Sequence, residues 1–170
     1  MSSATRTAAL GFFLTSLYLN VLWLIDPVKA FSLGYQWAIV ILYVVLMVRA
    51  VRARKAQLAA DQYLTQRGAL RTAAVVGVAC TIGFHLTLYT LYLLQPETFE
   101  TAQTQAIEQI NALREALTGG QIEGTPGIKT ENVFQFSFRA VLSAIATGII
   151  GDFLLGLIIA TLMTRRGAWL

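Results

Sequence analysis

Two side chains in this sequence could do proton chemistry in apolar surroundings. His85 is the chain's one histidine, and Asp152 is an acid at the centre of an otherwise uncharged run, 140–163. A neutral imidazole beside a carboxylate titrates near physiological pH, so the pair could be one step of a proton or ion path. The same two groups could instead be structural, a buried polar contact that specifies which helices pack. Either role requires both to face protein or water, because an ionised side chain at mid-bilayer costs roughly 2.5–3.5 kcal/mol on insertion scales.

Steps of four residues connect each group to a stripe. From Ala140 the count passes Ala144, Gly148, Asp152, Gly156 and Ala160, one slowly drifting face of a helix. The same step through Ala73, Gly77, Thr81, His85 and Tyr89 gives a second face of small residues around an ionisable one. Small residues at this spacing let helix backbones approach closely in a membrane. The two stripes are expected to meet antiparallel, with Gly77, Ala144, Gly148, Gly156 and Ala160 as packing positions and the last helix as the keystone. With spans centred as read below, the heights of His85 and Asp152 differ by about 3–4 Å at a rise of 1.5 Å per residue. That predicts a His85–Asp152 hydrogen bond or ion pair.

The elements that position these groups follow from composition. The 170 residues are 56% hydrophobic and only 13% charged, with a mean hydropathy of +0.62, values unlike those of a soluble domain. The charges avoid four apolar blocks, at 7–25, 31–48, 72–94 and 140–163. This predicts an all-α polytopic membrane protein, a single membrane domain over 1–170 with four transmembrane helices. The first block follows Arg6 and could pass for a signal peptide, but its 19 uncharged residues exceed an ordinary signal core. It reads as a transmembrane helix ending at Asp26-Pro27. Ser16 and Asn20 can hydrogen-bond to a neighbouring helix, while Trp23 and Trp37 suit the membrane interface.

Charge placement sets the topology. Arg49, Arg52, Arg54 and Lys55 end the second block, and with Arg67 and Arg71 they make six basic residues against one acid, Asp61. With Arg165 and Arg166 they read as topology anchors or as a docking patch for anionic lipid. If both termini are cytoplasmic, that side holds nine Lys and Arg residues against four on the other. The expected location is therefore the bacterial cytoplasmic (inner) membrane, with both ends inside. Residues 95–139 then form an extracytoplasmic excursion. Phe99, Ala102, Ala106, Ile110, Leu113 and Leu117 recur at helical spacing, predicting an amphipathic helix over 97–118 that lies on lipid, on its own bundle or on a partner. Gly119-Gly120 ends it, a loop covers 121–127, and Phe134, Phe136 and Phe138 form an aromatic belt before the last span.

Several functions are excluded. The net charge of +4 sits on membrane flanks, which argues against nucleic-acid binding. One Cys and one His allow no disulfide within the chain and no all-protein zinc or iron–sulfur site. Cys80 reads as a packing residue. Ser143 lacks the glycine context of a serine nucleophile, and there is no phosphate-binding loop or haem-attachment motif. No catalytic, cofactor or metal residue can be named. The expected function is a non-catalytic accessory or structural subunit of a larger inner-membrane complex, its partners being the bilayer and other membrane subunits or copies of itself. The alternative is a small proton- or ion-coupled transporter or channel using Asp152 and His85.

Four stretches carry a family likeness: Leu88-Tyr89-Thr90-Leu91-Tyr92, the following Pro96-Glu97, residues 108–117, and Gly156-Leu157-Ile158-Ile159-Ala160. Together with the order of spans and loops, they resemble an uncharacterised (domain of unknown function) family of small four-helix inner-membrane proteins common in Bacteroidota. The resemblance implies the four-span fold over the whole chain and carries no activity, cofactor or site residue with it.

Overall fold

A computed structural model describes residues 3–58, 63–118 and 137–164. Asp61, Gly119-Gly120, the loop at 121–127, Phe134, Phe136, Arg165 and Arg166 lie outside the described residues. Five α-helices make up the fold: α1 (Ser3–Ile25), α2 (Leu33–Lys55), α3 (Gln66–Leu94), α4 (Pro96–Thr118) and α5 (Phe138–Thr164). Four of them, α1, α2, α3 and α5, are long and apolar enough to cross a membrane. The described residues are helical apart from short joints, and the four apolar helices are those of a membrane protein by length and composition.

Local sequence explains the joints. Asp26 caps a short 3₁₀ turn, Pro27–Ala30, its carboxylate accepting from the Val28 amide at 3.0 Å, and Pro27 needs no donor at the first position. Thr65 caps α3 by accepting from the Gly68 amide at 3.1 Å. The joint between α3 and α4 is a single residue. Pro96 disfavours helical geometry at Gln95, which adopts φ −142° and ψ 63°, and the proline then starts the next helix. At the other ends, helix outlasts hydrophobicity. α2 continues past Val48 through its basic residues to Lys55, and α3 begins at Gln66, well before the uncharged stretch starts at Thr72.

The centre of the bundle is α3. It packs against α1, α2 and α5 and meets α4 at one end. In its most apolar window 44% of residues are buried, against 22% in α5. This corrects the expectation that the last helix is the keystone: α5 lies on the outside and packs mainly on α3. α1 and α3 run parallel and nearly touch. A Cβ on Gly83 would stand 3.0 Å from the Phe12 carbonyl oxygen, and one on Gly11 would stand 2.6 Å from Cys80 Sγ.

The two ends of the bundle differ in chemistry. At one, Ser3 bonds to Gln57 and Gln66 to Thr161, and Arg6, Arg49, Arg52, Arg54, Lys55, Arg67 and Arg71 are exposed around them. At the other, the first turns of α4 lie across the α1–α2 joint. Phe99 is 1% exposed, with its ring 4.9 Å from Phe31, 5.5 Å from Tyr92 and 5.8 Å from Trp23. Ala102, Ala106 and Ile107 are buried beside it, whereas Leu113 is 55% exposed. The amphipathic helix therefore docks on its own bundle through its first half, where Phe99, Ala102, Ala106 and Ile107 are buried.

Candidate functional site

The register between α3 and α5 is read from their small residues. A Cβ on Gly77 would stand 2.9 Å from Asp152 Cβ and would also collide with Met47 Cε. One on Gly148 would stand 2.7 Å from Thr81 Cγ2, and one on Gly156 would stand 3.5 Å from Ala73 Cβ. Each four-residue step along one helix matches a four-residue step back along the other, so the stripes face each other antiparallel. Ala160, fully buried, extends the seam at the basic end. Ala144, partly buried, extends it at the α4 end opposite His85.

Within this seam Asp152 is 4% exposed, and Thr81 Oγ1 donates to its Oδ2 at 2.6 Å. Thr81, and not His85, is the partner of the acid. His85 Nε2 lies 3.8 Å from where a Cβ on Gly148 would be, one turn short of Asp152. Among the described residues no hydrogen bond or ion pair joins His85 to Asp152. The cause is the true start of α3. Beginning at Gln66 instead of Thr72 moves the helix midpoint three residues toward the basic end, about 4.5 Å at the helical rise. That shift brings Thr81, and not His85, to the level of Asp152.

Asp152 belongs to a cluster supplied by all four spanning helices. Tyr43 of α2, itself buried, lies near Thr15 of α1, Thr81 and Cys80 of α3 and Asp152. Thr15 also donates to the Gly11 carbonyl at 2.8 Å, the usual way a hydroxyl is satisfied inside a helix. Each helix contributes within about one residue of its own midpoint, so the cluster marks the mid-plane of the bundle. Among the described residues no buried side-chain nitrogen or oxygen lacks a partner. A satisfied cluster of this kind can hold helices in register.

His85 has separate surroundings. It stands edge-to-face with Phe84 at 5.1 Å and lines a cavity of ≈ 170 Å³ with Gln36, Gln103, Ala140, Val141 and Ala144. Four helices line it, α2, α3, α4 and α5, together with Phe31 of the α1–α2 joint, and α4 contributes Gln103. Gln36 reaches back to the Phe31 carbonyl at 3.4 Å. The cavity is mostly apolar with three polar groups at its wall, the general character of a small-molecule pocket.

Two features were not singled out from sequence. Tyr43 is the one side chain with a polar tip between Trp37 and Arg49, and its place at the centre of that run was the available signal. Ser143, Thr147 and Gly151 form a second stripe on α5, one residue out of phase with the first. All three are exposed, and a Cβ on Gly151 would meet nothing. Arg49, Arg52, Arg54 and Lys55 are exposed on the last two turns of α2.

The fold and the cluster define a helical bundle with four helices long and apolar enough to cross a membrane, joined by a polar cluster at the middle of the bundle. In comparisons with known proteins, no family model, curated protein or solved structure matches the chain.

Proposed function

We propose that this chain is a non-catalytic accessory or structural subunit of the bacterial cytoplasmic membrane, with both ends in the cytoplasm and α5 as its assembly face. The orientation rests on the nine-to-four distribution of Lys and Arg. The observation that carries the assembly reading is the exposed stripe Ser143–Thr147–Gly151, flanked by exposed Ile150, Leu154 and Ile158. α5 spends one small-residue face on α3 and retains another, which would admit the backbone of a further helix. The transport reading has less support. The carboxylate it needs is engaged by Thr81, and His85 lies in a different compartment.

Gly151→Leu tests the proposal, because the added side chain enters open space in the monomer. Association measured by cross-linking in native membranes and by mass in mild detergent should fall, with the melting temperature unchanged. A wild-type protein that is monomeric and partnerless in both measurements removes the reading. So does proton or ion flux in liposomes that Asp152→Asn abolishes.

A further inference from the structure

A groove of ≈ 680 Å³ runs between α3 and α5 at the basic end of the bundle, lined by Arg67, Leu70, Arg71, Ala74, Val75, Val78 and Phe153. Its polar part is confined to one end. Arg67 and Arg71 lie one helical turn apart there, both exposed, and the one ion pair among the described residues, Lys29–Asp26, is elsewhere. The remaining lining residues are apolar. From Arg71, the inner arginine, to Val78 is seven residues of continuous helix, about 10 Å at 1.5 Å per residue, or about two thirds of the depth of one leaflet of a ~30 Å hydrocarbon core. Near this end a defined contact, Gln66 Nε2 donating to Thr161 Oγ1 at 3.0 Å, ties the start of α3 to the end of α5.

We infer that this groove binds one anionic phospholipid, with its phosphate between Arg67 and Arg71 and an acyl chain lying over Ala74, Val75, Val78 and Phe153. Guanidinium groups match phosphate oxygens in pairs, and two of them one turn apart present a fork to a single headgroup. Positive charge alone does not distinguish the site, since Arg49, Arg52, Arg54 and Lys55 supply as much at the end of α2. The distinguishing feature is the apolar channel that continues from the arginines toward the middle of the bundle, over Ala74, Val75, Val78 and Phe153. Zwitterionic lipid fits the channel but presents an ammonium as well as a phosphate, which favours a net-anionic headgroup.

The test is native mass spectrometry of the full-length protein released from phosphatidylcholine nanodiscs containing phosphatidylglycerol. Wild type should retain one phosphatidylglycerol in preference to phosphatidylcholine. The double variant Arg67→Gln/Arg71→Gln should lower that retention at least tenfold, while Arg49→Gln/Arg52→Gln should change it less than twofold. Val75→Trp, which fills the channel from an exposed position and leaves both arginines in place, should also lower it several-fold. Added inorganic phosphate at millimolar concentration should not displace the lipid. Equal losses in the two arginine pairs would reduce the site to diffuse charge and overturn the inference. Unchanged retention in Val75→Trp, or displacement by free phosphate, would overturn the acyl-chain assignment and with it the site. If the Arg67/Arg71 variant does not fold, Val75→Trp and the phosphate competition still decide the question.

Discussion

Thr81 donates a 2.6 Å hydrogen bond to Asp152, and the position on α3 directly facing the acid is Gly77, where a Cβ would come within 2.9 Å of Asp152 Cβ. Close backbone approach and the polar bond therefore occur within one helical turn. Each supports the other: the glycine lets α5 come near enough for a threonine to reach the carboxylate. The bond removes the cost of an unsatisfied acid in a region without water.

If Thr81 is the partner of Asp152, the two must be energetically coupled. A double-mutant cycle with Thr81→Val and Asp152→Ala should give a coupling of about 1 kcal/mol in detergent unfolding, within the range for intramembrane hydrogen bonds. The same cycle using His85→Ala should give less than about 0.5 kcal/mol, the scatter of independent sites. A larger coupling to His85 than to Thr81 would contradict the geometry.

A glycine inside the seam and one outside it should behave oppositely. Gly77→Ala must displace Met47 and push back Asp152, so a loss of about 1–3 kcal/mol is expected, as for other overpacked interiors. Met47→Ala should recover part of the loss by removing the side chain that blocks the new methyl. Gly151→Ala enters open space and should be neutral or stabilising by up to about 1 kcal/mol, since alanine is the better helix former. Thermal melts of the three variants in one detergent would check the order.

Phe99 is the anchor of α4, the one large side chain of that helix enclosed by Trp23, Phe31 and Tyr92. Phe99→Ala should remove about 3 kcal/mol of docking, the lower end for truncating a buried aromatic. Amide exchange in the first half of α4 should then accelerate by about a hundredfold, because 1.4 kcal/mol corresponds to a factor of ten. Exchange at the centre of α3 should be unaffected.

The joint between α3 and α4 has its own polar tie, Trp23 Nε1 donating to Gln95 Oε1 at 3.0 Å. Trp23→Phe retains the ring packing and loses this bond, which predicts a cost of about 1 kcal/mol. Gln95→Leu should cost a similar amount, and the two changes together should cost less than their sum. Denaturation of the two single variants and the double variant measures the difference.

Sequence by itself determined the class of protein, four apolar helices plus one amphipathic one, because hydrophobic length and helical spacing are properties of the chain taken locally. It also determined that Ala73–Gly77–Thr81 and Gly148–Asp152–Gly156 are faces suited to each other, since residue size at a spacing of four can be read without coordinates. Tertiary structure alone decided the partner of Asp152. Sliding one helix by a single turn exchanges Thr81 for His85 at the same level, and hydropathy places the ends of a span no more finely than that. The start of α3 at Gln66 lies among residues that suit a helix but are too polar for hydropathy to count within the span. It also decided that α3 and not α5 is central, because a stripe reveals that a helix has a packing face but not how many neighbours its other faces acquire. The place of Tyr43 in the mid-plane cluster has the same origin: one hydroxyl in an apolar run gains polar neighbours only when three other helices bring Thr15, Thr81 and Asp152 near it.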